Sequence, residues 1–108
     1  MTGEVFHLVI NHNTSGDQAL LAAKPYTRYV VCDFVIVSAG TVTVRFESGA
    51  GGTALTGAMP LVANSILQPG FSAVGYFQTL ANQTLNLELS AAVAVQGWLS
   101  YYEVETAV

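Results

Sequence analysis

Charge is scarce in this chain. Of 108 residues, three are Lys or Arg and seven are Asp or Glu, 9% in all, where a soluble domain usually carries about 25%. The cations are Lys24, Arg28 and Arg45 alone. Three are too few to track a phosphate backbone, so no nucleic-acid partner is expected. A polybasic patch for a membrane surface is missing for the same reason. Cysteine is nearly absent too. Cys32 is the only one, which excludes an internal disulfide. It lies between Val31 and Asp33, with no base among its sequence neighbours, and reads as a small core hydrophobe. Hydrophobic residues make up 52%, yet no run approaches the roughly 18 apolar residues of a membrane helix. The strongest stretch, Tyr29 to Val37, is interrupted by Asp33. Met1-Thr2-Gly3-Glu4 puts no basic segment before an apolar one, so no secretory signal is expected and synthesis is placed in a cytosol. A small surface with so little charge is expected to be covered in part by identical copies or by a larger assembly.

What the chain does have is alternation. Thr41-Val42-Thr43-Val44-Arg45-Phe46-Glu47 sends Val42, Val44 and Phe46 one way and its polar residues the other, the pattern of a half-buried antiparallel strand. Thr84 to Leu89 repeats it with Leu85, Leu87 and Leu89 inward, and Phe6, Leu8 and Ile10 share a face nearer the start. Tyr29 to Val37 is apolar on both faces, which predicts a central strand covered on both sides. Val93 to Val104 is long and two-faced, with Gly97 marking a bulge or a close backbone approach. Gln18 to Ala23 suits a helix by composition, but its neighbours favour a strand. Val74 to Thr79 is a further short strand. Turn signals separate these segments: Asn11 to Gly16, Gln68-Pro69-Gly70, a Gly-rich loop from Ser48 to Thr53, and Ser38-Ala39-Gly40, read as a tight hairpin. The expected fold is all-β: one domain over residues 1–108, an antiparallel, jelly-roll-like β-sandwich of about seven or eight strands. A domain of this length buries enough surface to fold without metals or disulfides.

Candidate sites are few. His7 and His12 are the only histidines. The metal-binding jelly rolls of the cupin type use a His-x-His pair with Glu and a third His, so a strand-face and a turn histidine are the better reading, and no metal is expected. No Gly-x-Ser-x-Gly motif marks a nucleophile. The loop at Gly49 to Thr53 lacks the Gly-Lys-Ser/Thr ending of a phosphate loop. Glu103 and Glu105 share a face near the chain end and read as solvated charges that discourage edge pairing. No catalytic residue and no cofactor is expected. Trp98, Tyr101 and Tyr102, with Tyr76 and Phe77, are open to three readings: core packing, a subunit interface, where Tyr and Trp are enriched, or a platform for sugars.

From Ser38 onward the order of features carries a resemblance. Ser38-Ala39-Gly40 leads into Val42 to Gly49, then Gly52-Thr53-Ala54-Leu55-Thr56-Gly57-Ala58-Met59-Pro60-Leu61. Gly75 to Thr79, Leu85 to Ala92 and Gln96-Gly97-Trp98-Leu99-Ser100-Tyr101 follow. Over about two thirds of its length the chain resembles small virion proteins of tailed bacteriophages, in particular the capsid decoration, or cement, proteins. The resemblance implies a non-enzymatic structural protein on the outside of an assembled shell. It implies a homo-oligomer that ties neighbouring copies of the major capsid protein together against internal DNA pressure. A trimer is expected ahead of a dimer, on the virion surface after synthesis in the host bacterial cytoplasm. The alternative is a tail or fibre module that binds a host glycan or protein.

Overall fold

The computed structural model describes residues 4–49 and 52–105. Ten strands and no helix occur among them: β1 (Phe6–His12), β2 (Gly16–Leu21), β3 (Thr27–Ser38), β4 (Val42–Ser48), β5 (Thr53–Ala54), β6 (Met59–Leu61), β7 (Ile66–Leu67), β8 (Phe77–Gln78), β9 (Leu85–Leu89) and β10 (Val95–Glu105). They form two antiparallel five-stranded sheets. The first runs β1-β10-β3-β7, with β8 also on β3; the second runs β2-β9-β4-β5, with β6 also on β4. β7 and β8 are two pieces of one interrupted edge strand along β3, and β5 and β6 are two pieces along β4. Counted that way there are eight strand positions, and the chain shuttles between the sheets in the wrapping order of a jelly roll. The fold is therefore the expected all-β sandwich.

The alternating segments decide the core because successive side chains of a strand point to opposite faces. Val42, Val44, Phe46, Leu85, Leu87 and Leu89 line the inner face of the second sheet, and all are buried. Ile10, Val31, Ile36, Val95 and Leu99 meet them from the first sheet. An aromatic cluster lies inside, with ring centroids 5.2 Å apart for Phe34–Phe46 and 4.9 Å for Phe46–Phe77. Gln18 to Ala23 resolves in favour of the strand, which ends at Leu21. Pro60 sits in β6, a sheet-edge piece where a missing N–H is tolerated.

Two features depart from expectation, and Gly97 is the close backbone approach rather than the bulge. Ser38-Ala39-Gly40 is no hairpin: β3 and β4 belong to different sheets, and the turn carries the chain across the sandwich. Compact turn residues permit either course, and the outcome follows from which sheet buries the next apolar face. The segment 74–79 yields only the two-residue β8, because Gly75 (φ 87°) turns the chain just before it. In β10 the register is regular at Gly97, opposite Ile36; the bulge falls later, where Ser100 faces Asp33 and Tyr101 faces Val31, leaving Cys32 unpaired. That extra residue flips the alternation of β3, so Tyr29 and Val31 point inward before it and Phe34 and Ile36 after it. Of the Gly-rich loop, Ala50 and Gly51 lie outside the described residues.

Candidate interaction surface

The bulge and the interrupted edge strand together shape the outer face of the first sheet. Between β7 and β8 the chain makes an excursion, residues 68–76, and returns to the same strand. Ser72 N donates to Cys32 O and Tyr76 N to Val31 O, each at 2.8 Å, while Gly75 N closes a turn onto Ser72 O at 3.1 Å. The excursion lies against Val30, and both faces of β3 are buried in its first half. Gly75 is held close, since a Cβ there would lie 2.3 Å from Val30 Cγ1. Cys32 is free and buried, its Sγ donating to Ser100 O at 3.4 Å. Burial pushes its thiol pKa up, which suits a packing role.

Beyond the excursion the outer face is open. Directly paired residues project on the same side of a sheet, so the register gives three rows across β1, β10 and β3. They are His7, Ser100, Asp33; then Val9, Trp98, Val35; then Asn11, Gln96, Val37. Ile66 of β7 extends the last row beside Val37. Val9 is 70% and Ile66 62% exposed. Trp98 lies at the centre with its ring 5.5 Å from that of His7. The excursion has its own exposed apolar side chains, Phe71, Tyr76 and Val74, the last 84% exposed. A groove of about 280 Å³ runs beside it, lined by Val30, Val74, Tyr76, Phe77, Tyr102 and Val104 among others.

The five aromatic residues singled out in the sequence are thus divided. Phe77 packs on the aromatic core, and Tyr101 stacks on Phe6 at 5.5 Å and meets Tyr29 edge-on. Trp98 stands on the open face. Tyr76 and Tyr102 border the groove, their hydroxyls donating to Gly70 O at 2.7 Å and Val74 O at 3.4 Å. They do not form one platform. β10 lies between β1 and β3, but its pairing with β1 ends at Tyr101, so Glu103 and Glu105 pair with β3 alone. Glu103 accepts from Lys24 Nζ at 3.0 Å; that hydrogen bond and the Glu103 charge raise the Lys24 pKa.

One cluster escaped the sequence altogether. On the outer face of the second sheet, carboxylate oxygens of Asp17, Glu47 and Glu88 lie within 4.8 Å of one another. Arg45 binds two of the three: its Nε donates to Glu47 Oε2 at 2.8 Å, and its Nη2 reaches Glu47 and lies 3.0 Å from Glu88 Oε1. Glu47 is fully buried although it belongs to the outward, polar set of β4. Burial pushes its carboxyl up; the Arg45 hydrogen bond opposes this, and Asp17 and Glu88 add to it. Carboxylate oxygens are hard-cation donors; the one cation here is Arg45, which holds Glu47 and Glu88 and leaves the group of three carboxylates only partly compensated. Asp17, Glu88 and Arg45 lie in one row across β2, β9 and β4, and such pairing is not written in any one segment alone. No model of a known protein family matches the chain. No curated protein sequence matches it either.

Proposed function

We propose that this protein is a non-catalytic structural module of a tailed-bacteriophage virion, a decoration protein that binds the outside of an assembled shell and stabilises it as a homo-oligomer. The observation that carries the reading is a tied-down sandwich with exposed apolar side chains on two separate surfaces, Phe71 and Val74 on the excursion for a shell and Val9 and Ile66 on the open sheet face for a second copy. Apolar residues presented on rigid backbone lose little entropy on docking, and a face poor in charge matches the core of a protein interface. The resemblance from Ser38 to Tyr101 supplies the partner, the major capsid protein. Many copies acting side by side bind a lattice through effective concentration even where each contact is modest.

The test is co-sedimentation with shells of the phage that encodes the chain. Shells assembled without it should take it up, while the same mass of unassembled capsid protein should not. Uptake should change little between low and moderate salt, because apolar contacts are poorly screened. Equal binding to free subunits and shells contradicts the reading. A second reading, a tail or fibre module that binds a host glycan, draws on the groove between Tyr76 and Tyr102; a glycan array that yields a binder dependent on both tyrosines would favour it.

A further inference from the structure

We infer that the open face of the first sheet is a self-association surface, and that its occupant is the same face of a second copy, related by a two-fold axis that runs along β10 over Trp98. The inference gives a face and a symmetry to the self-association in the proposed function, but it stands on the surface itself and is tested without a shell. Sheets pack face to face about 10 Å apart with their strands nearly aligned. A two-fold rotation about an axis parallel to the strands keeps each row in place and exchanges the two sides of β10. β1 of one protomer then lies over β3 of the other.

The consequences follow row by row. Trp98 meets the Trp98 of the second copy at the axis. Val9 meets Val35 and Val35 meets Val9. In the next row His7 lies over Asp33, and Asp33 over His7, so the polar groups that flank Ser100 pair as donor and acceptor twice. A two-fold axis perpendicular to the strands would instead set His7 over Asn11, without that complementarity. Asn11 and Gln96 are joined at 3.4 Å and border the apolar row, as a polar rim borders an interface core. Such isologous pairing closes at two, which makes the unit a dimer and not the trimer expected first.

Sedimentation equilibrium of the full chain between about 1 and 100 µM should give a dimer of the 11.4 kDa protomer. Trp98 is the only tryptophan, so its emission should shift to the blue over the same concentration range as it leaves water. Val9→Lys should raise the dissociation constant at least 10-fold and leave the monomer folded, because Val9 points away from the core. His7→Glu places carboxylate over carboxylate and should also weaken the dimer about 10-fold. A monomer at 100 µM, a trimer, or a Val9→Lys protein that remains as dimeric as wild type would overturn the proposal. If Val9→Lys fails to fold, the mass and emission of the wild-type chain still decide: emission that does not move as the mass doubles places the interface elsewhere and overturns it as well.

Discussion

Gly97 of β10 lies against the backbone of Val35 in β3: a Cβ at Gly97 would sit 1.8 Å from the Val35 carbonyl oxygen and 2.7 Å from its carbonyl carbon. No side chain fits there, and the obstacle is backbone at the centre of a sheet, which cannot swing aside. Gly97 also has φ 152°, at the margin of the region that favours glycine. The close approach sets Trp98 and Val35 side by side on the open face.

Gly97→Ala should therefore cost at least about 3 kcal/mol, among the larger single-site effects, and leave much of the protein insoluble. Gly16 is the control. It has φ 97° with nothing near its Cβ position, so Gly16→Ala should cost only the backbone strain, about 1 kcal/mol. Urea unfolding of the two variants reads the difference; equal losses would show that the β10–β3 approach is not the constraint.

Leu87 is fully buried between the sheets, opposite Phe46. Leu87→Ala should lower unfolding free energy by about 2–5 kcal/mol. Val62→Ala, at a site 62% exposed, should stay within about 0.5 kcal/mol. A loss at Leu87 as small as that at Val62 would place Leu87 outside the core.

Glu47 makes stability depend on pH in a direction opposite to that of an ordinary paired carboxylate. Burial holds its carboxyl above the ordinary 4.5, with Arg45 opposing and Asp17 and Glu88 assisting. The folded state then binds the proton more tightly than the unfolded state. The stability this group contributes is fully present below pH 4.5 and is lost as pH rises through its raised value. Glu47→Gln removes the titration. The melting temperature of the variant, relative to wild type, should climb as pH rises from 4 to 8. A difference that stays constant over that range contradicts the assignment.

Much of the fold was legible because burial and alternation share a period. The Val42–Phe46 and Leu85–Leu89 segments name their inner faces from sequence, and those six side chains meet in one core. What escaped was nonlocal. Ser38-Ala39-Gly40 signals a turn but not which sheet receives the next strand. The unpaired Cys32 reverses the faces of β3 through a register shift that no composition encodes, and it decides that Asp33 and Val35 look outward. Glu47 reads as a solvent-facing residue, yet Arg45 and the carboxylates of two other strands enclose it. The aromatic residues showed the same limit: neighbours such as Tyr101 and Tyr102 fall on opposite faces, so a run of aromatics in sequence divided between core and surface.

The central claim is that this sandwich decorates a shell, and its most direct test is cryo-electron microscopy of the virion. The account predicts density that fits the two-sheet sandwich at regular positions on the outer capsid surface, touching more than one major capsid subunit, and its loss from particles that lack the protein. Density for the chain at the tail tip, with none on the capsid, would contradict the account and favour a receptor-binding module.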